Sequence, residues 1–168
     1  MSTVEDPMST EDRGSLTPEE TRAIEQLIRH YDDKRGACVE ALKVVQRAHR
    51  WISDDRLCAV ASLLGMTPDE LDGVATFYNL IFRRPVGRHV ILLCDSVSCW
   101  IMGHDRLLEN LEHRLGIRPG KTTPDGRFTL LPIVCLGHCD HAPAMMIDSD
   151  LHGDLDGERL QTLLEAYC

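Results

Sequence analysis

The sequence is short of positive charge, of aromatic rings and of long apolar runs, and each shortage closes off a class of protein. Lys plus Arg number 18 against 27 Asp plus Glu, a formal net charge of −9. A nucleic-acid binder neutralises phosphates with a basic footprint, which this balance does not supply. The longest apolar stretches, such as Ile91-Leu92-Leu93 or the Ser- and Gly-interrupted run 59–66, are far too short to span a bilayer. Met1 to Gly14 is acidic and rich in Ser and Thr, without a basic segment followed by an apolar one, so it does not read as a secretory signal. No Gly-x-Gly-x-x-Gly follows a strand pattern, so a dinucleotide fingerprint is missing. What is present is enough apolar material for a core: 43% of 168 residues are hydrophobic and 27% charged. That supports one domain, or two small ones, in a soluble intracellular protein.

Three segments differ in texture. Residues 1–16 carry one Arg against four acids and read as a disordered acidic tail. Residues 17–84 read as a helical bundle. Thr17-Pro18-Glu19-Glu20 is a capping box that opens one helix, with Ile24, Leu27 and Ile28 on one face. A second helix is expected over Ala37 to about Arg50, with Ala41, Leu42, Val44, Val45 and Ala48 as its stripe. Ser53 caps a third that Gly65 ends, and Thr67-Pro68-Asp69-Glu70 opens a fourth. Residues 85–168 change to strand-like runs: His89 to Cys94, Phe128 to Cys135, and Ala144 to Ile147. Two helices are expected among them, one with Leu107, Leu108, Leu111 and Leu115, one over Gly157 to Tyr167. The order suggests a small α/β domain after the helical module.

Seven cysteines stand in this chain. An odd count without a signal argues against a disulfide framework. Four fall in two close pairs, Cys94 and Cys99 spaced C-x4-C, Cys135 and Cys139 spaced C-x3-C. Each pair begins where an apolar strand pattern ends, which would bring four thiolates to the same end of one sheet. A redox dithiol would need C-x-x-C, which is absent. Structural zinc favours C-x2-C knuckles, which are absent too, but zinc remains open. So do unligated thiols. A [2Fe-2S] cluster takes four Cys, and the wider loops leave room for backbone N–H groups to reach the sulfurs, so the spacing favours it. A Rieske centre would exchange two Cys for two His, and the four-cysteine set leaves His138 outside the ligands. A cluster beside Asp95 and Asp140 in an acidic domain should have a low potential. The N-terminus of a helix after Cys99 would partly offset this.

Longer stretches carry a resemblance. Gly73-Val74-Ala75-Thr76-Phe77-Tyr78, the run from Phe82 through Pro85-Val86-Gly87-Arg88-His89, Cys94 to Cys99, and Cys135-Leu136-Gly137-His138-Cys139 with Ala142-Pro143-Ala144-Met145-Met146 together resemble the E subunits of bacterial NADH:quinone oxidoreductase, respiratory complex I. The likeness runs from about residue 17 to the C-terminus. It implies an N-terminal helical bundle followed by a thioredoxin-like [2Fe-2S] ferredoxin domain. Cys94, Cys99, Cys135 and Cys139 match the family's cluster ligands. The family's chains act as subunits of the oxidoreductase, take single electrons from reduced FMN on the NADH-binding partner, and carry neither NADH nor FMN nor catalytic residues themselves. Other peripheral-arm iron–sulfur subunits would be further partners. The place would be the cytoplasmic side of the inner membrane, reached through the complex and without membrane insertion. The family also includes diaphorase subunits of NAD-linked hydrogenases and formate dehydrogenases. Two competing functions are a freely diffusing ferredoxin, which would have no use for the helical module, and a zinc-stabilised interaction module.

Simpler roles suffice for other residues. Cys38 and Cys58 read as core or half-exposed thiols, and Cys168 as a free terminal thiol. His138 and His141 read as polar loop residues beside Cys139, with a pH-sensitive role at the cluster as the sharper alternative. Phe77 and Tyr78 are expected to pack in a core or an interface. Pro143 is the candidate for a cis-proline, by analogy with thioredoxin-like folds. Arg83, Arg84, Arg88 and His89 form a basic group, either a solvated linker or a contact for an acidic partner face.

Overall fold

A computed structural model describes residues 15–167. The acidic tail lies outside these residues except for its last two, and Cys168 lies outside them as well. Leu16 packs against the first core, so the expected tail ends earlier than residue 16. The chain forms two compact units, one reaching through Pro85 and one beginning at Val86.

The first unit is helical. Its helices are α1 (Pro18–Ile28), α2 (Cys38–His49), α3 (Asp54–Leu64) and α4 (Pro68–Phe77), with a 3-10 turn at Lys34–Ala37. Local chemistry sets their ends. Thr17 and Thr67 each accept from the N–H three residues on, while Glu20 and Glu70 reach back to the threonine N–H groups. Each such box satisfies two backbone donors that would otherwise lack partners, and an N-cap is worth about 1 kcal/mol. Ser53 caps α3, and Gly65 closes it at φ +66, a backbone angle that costs glycine little. Ile24, Leu42, Val45, Ile52, Leu57, Val60, Leu64 and Leu71 form the core. Burying each such side chain contributes about 1.5–3 kcal/mol before entropy is counted. Ala48, expected in the α2 stripe, is exposed, because the stripe turns to solvent after Val45.

Phe77 is 80% exposed and touches Tyr78 edge-on at 5.2 Å, so it is not core, which leaves the interface half of the expectation. Two members of the basic group are bound within their own units. Arg83 binds Asp72 and Asp54, both at 2.6 Å, and the Ile52 carbonyl, tying the segment after α4 back onto its own unit. His89 pairs with Asp148 at 2.7 Å in the second unit.

The second unit is a five-stranded sheet in the order β2-β3-β1-β4-β5. Its strands are β1 (His89–Cys94), β2 (Lys121–Thr122), β3 (Phe128–Ile133), β4 (Met145–Ile147) and β5 (Asp150–His152). Central β1 pairs parallel with β3 and antiparallel with β4. A strand paired on both sides and covered on both faces reads as a continuous apolar run, which His89 to Cys94 does. Helices α5 (Val97–Ile101), α6 (His104–Leu115) and α7 (Gly157–Ala166) complete the unit. Leu107 and Leu111 of α6 and Leu160 and Leu164 of α7 pack with Ile91, Leu93, Leu130, Met145 and Ile147. Beyond Leu130, β3 has no partner in β2, so Pro132 sits where no ladder donor is missed on that side.

Candidate metal centre

The parallel pairing of β1 with β3 aligns Cys94 with Ile133, so both strands end together. Cys94 closes β1. Cys99 lies inside α5, and the helix expected after it is α6, which begins at His104. Cys135 stands two residues beyond β3, and Cys139 opens a 3-10 turn, Cys139–His141. The Ala142–Pro143 peptide that follows is cis, as the analogy anticipated.

The cysteines meet as two pairs. Cys94 and Cys99 are 2% and 1% exposed, buried with Ala142 and Ala144 against Ile133 and Leu136. Cys135 and Cys139 are exposed, their sulfurs 3.9 Å apart. The pairs adjoin through the loop after β3, since the Cys94 thiol donates to the Val134 carbonyl at 3.3 Å. The Leu136 N–H also points at Cys94, and the Ala144 N–H at Cys99. Gly137, at φ +74, turns its N–H onto the Cys135 sulfur at 3.4 Å.

These contacts set the thiol acidities. Burial acts to raise Cys94, but hydrogen bonds from Ser96 and the Leu136 N–H outweigh it and leave the thiol more acidic than usual. Burial raises Cys99, with the neighbouring Cys94 adding to it against the Ala144 N–H. Beside the site, the His138 and His141 rings lie 4.7 Å apart, and His141 is held by Asp154 at 2.7 Å. The Asp154 hydrogen bond, then the Asp140 charge, pushes the His141 imidazole above its ordinary value.

The donor set fits a two-iron cluster better than a single ion. One tetrahedral zinc needs every ligand pair about 3.8 Å apart, given a Zn–S bond of about 2.3 Å. Among the described residues, no three His, Cys, Asp or Glu side chains gather closely enough to hold one ion. A [2Fe-2S] cluster instead needs two thiolates at each of two irons, and N–H groups aimed at sulfur stabilise its charge. Two adjoining pairs with three such N–H groups meet that need.

The sequence pointed to the four cysteines but not to these donors. Val134, Leu136 and Ala144 act through backbone atoms, on which side-chain identity is silent. Only Gly137, between two ligand candidates, carried a signal. The sequence reading also missed an apolar collar on and beside α5. Val97, Trp100, Ile101, Met102 and Val134 are each at least 61% exposed.

Known proteins resemble this chain closely. Residues 24–168 match the sequence model of the thioredoxin-like [2Fe-2S] ferredoxin family. The E subunit of NADH-quinone oxidoreductase from Pseudomonas aeruginosa is 50% identical over 156 residues, covering 93% of this chain and 94% of that protein. Its counterpart from Escherichia coli is 52% identical over 152 residues, covering 90% and 92%. Among solved structures, an NAD+-reducing [NiFe]-hydrogenase in the H2-reduced state superposes with a TM-score of 0.68 at 27% identity. That match covers 78% of this chain but only 22% of the hydrogenase chain.

Proposed function

The chain belongs to the thioredoxin-like [2Fe-2S] ferredoxin family, and we propose that Cys94, Cys99, Cys135 and Cys139 are the ligands of its one cluster, one pair to each iron. It is an electron-transfer subunit of the NADH-quinone oxidoreductase type. When bound, a [2Fe-2S] cluster supplies a one-electron acceptor and donor. The protein supplies the setting. Cys94 and Cys99, with Ala142 and Ala144, keep water from one side. The Leu136, Gly137 and Ala144 N–H groups spread the sulfur charge.

The partner is the NADH- and FMN-binding flavoprotein subunit of such a complex, with other peripheral iron–sulfur subunits nearby. The α5 collar supports this, because an apolar surface beside an electron carrier is what a close-docking partner needs. No helix among the described residues is long and apolar enough to cross a membrane. The kinship with oxidoreductase subunits supports attachment to the cytoplasmic face through the complex. The hydrogenase likeness supports a second reading, a diaphorase subunit. The higher identity and near-full coverage of the oxidoreductase subunits favour the first.

The observation that carries the ligand assignment is the pairing itself: four sulfurs in two adjoining pairs at the ends of parallel strands. Replacing Cys99 or Cys139, one from each pair, with Ser tests it. Either variant is expected to lose iron or change the EPR signal of the reduced protein, while Cys58→Ser, on an exposed face of α3, leaves both unchanged. Variants at Cys99 and Cys139 that keep the parent's iron content and spectrum would refute the assignment.

A further inference from the structure

We propose that the turn at Gly153 and Asp154 is a positioning device that fixes the Cys135–Cys139 loop for its metal. The inference rests on the ligand assignment above. Leu136 anchors that loop on its inner side, and the rest of it lies open. Both of its cysteines are exposed, Gly137 turns through the left-handed region, and Cys139 stands on a 3-10 turn of three residues. The turn after β5 grips that short element from outside. The Asp154 N–H donates to the His141 carbonyl at 2.7 Å, and the Asp154 carboxylate binds His141 Nδ1 at 2.7 Å. One residue therefore holds both the backbone and the side chain of the position two beyond Cys139. Asp154 itself sits at φ +52, a conformation that Asp tolerates better than most residues, and its carbonyl accepts from Arg159 of α7 at 3.3 Å.

Gly153 makes the grip possible. A Cβ there would lie 2.5 Å from the His141 Cβ, 2.6 Å from the His141 carbonyl oxygen and 2.7 Å from the His138 Cδ2. Two of those atoms belong to the loop's backbone and its first side-chain carbon, which cannot swing away as a flexible tip would. The backbone at Gly153 is otherwise open to any residue, since its φ lies outside the left-handed region. The glycine is thus required by the closeness of the ligand loop, not by the turn. His138 and His141, which flank Cys139 in sequence and whose rings lie 4.7 Å from each other, are the faces against which the turn is seated. Their role here is mechanical.

The test uses the full chain loaded with its cluster. Gly153→Ala and Asp154→Ala are compared with the parent for the rate at which an iron chelator removes metal and for the EPR g-values after reduction. Far-UV circular dichroism of the same samples reports the fold. Loss of an outer support of a metal site costs roughly 10–100-fold in metal affinity, and chelation is expected to speed up by a similar factor. The g-values should move, and Asp154→Asn, which keeps the backbone bond and a side-chain acceptor, should recover most of the effect. Gly157→Ala, whose Cβ would meet nothing closer than 3.9 Å, should behave as the parent. Chelation within twofold of the parent and unmoved g-values in both Gly153→Ala and Asp154→Ala would overturn the proposal. Should Gly153→Ala fail to fold, Asp154→Ala against Asp154→Asn decides. Cys139→Ser, measured alongside, separates the two claims. If it alone perturbs the metal, the support is wrong and the ligands right; if it perturbs nothing, the ligand assignment falls first.

Discussion

Asp95 follows Cys94 directly and Asp140 follows Cys139, and both carboxylates face solvent. A [2Fe-2S] cluster with four thiolates is already doubly negative and gains a third charge on reduction, so each neighbouring carboxylate opposes electron uptake. Asp95→Asn should therefore raise the midpoint potential, by roughly 10–40 mV at low salt, with the gap narrowing as ionic strength rises. Redox titration at two salt concentrations checks it; a lowered potential would contradict it. Tyr167 offers a pH test. Burial first, then its hydrogen bond to Asp150 at 2.8 Å, pushes its hydroxyl up to about 12. The protonated form is the one the fold favours, so its contribution is complete below the ordinary value of 10 and is lost as pH rises toward about 12. Ultraviolet titration should show a step near pH 12 that Tyr167→Phe removes. At this scale the sequence was most informative about sulfur. Cys94 and Cys135 could be placed because each follows an apolar run, whereas the N–H groups of Leu136 and Ala144 could not, since every residue but proline owns one.

Helix ends were legible at the level of elements because capping is local. Thr17, Ser53, Thr67 and Gly65 each act within three or four residues of themselves. Thr67→Ala should cost about 1 kcal/mol, read by urea unfolding of the intact protein. Strands β2 and β5 were not legible: they have two and three residues, too few to show a period, and exist because β3 and β4 offer them edges. The run expected to end at Cys135 ends earlier. Its ladder stops at Ile133, freeing Val134 to turn its carbonyl onto Cys94. Arg83 shows how tertiary partners override a reading by charge. Adjacent basic residues suggested a surface, but Asp54, Asp72 and the Ile52 carbonyl claim this one. Burial alone would lower its pKa, yet the bonds to Asp72 and Asp54 raise it above the ordinary value, so the guanidinium stays charged. Arg83→Met should destabilise the helical unit by about 1–2 kcal/mol, most of it from the orphaned carbonyl.

On the scale of the whole molecule, each unit has its own apolar core, and the four cysteines lie in the second. The division of labour follows from chemistry. A sheet with two parallel strands ending together can present two ligand loops at one edge, which a helical bundle of this size does not offer. The α5 collar gives the molecule a face that water does not favour, and Trp100, 61% exposed, is its one aromatic side chain. Trp100→Glu should weaken assembly with the proposed flavoprotein partner by about tenfold or more, on the usual scale for a buried aromatic anchor, and leave iron content unchanged. Analytical ultracentrifugation of the mixed subunits would read the first and metal analysis the second. The claim beneath all of this is that the chain carries electrons on one [2Fe-2S] cluster. The most direct measurement is low-temperature EPR of the anaerobically purified protein before and after dithionite, with iron, sulfide and zinc counted in the same sample. About two irons and two sulfides per chain are expected, with a signal that appears on reduction. A colourless, EPR-silent protein holding one zinc would contradict it.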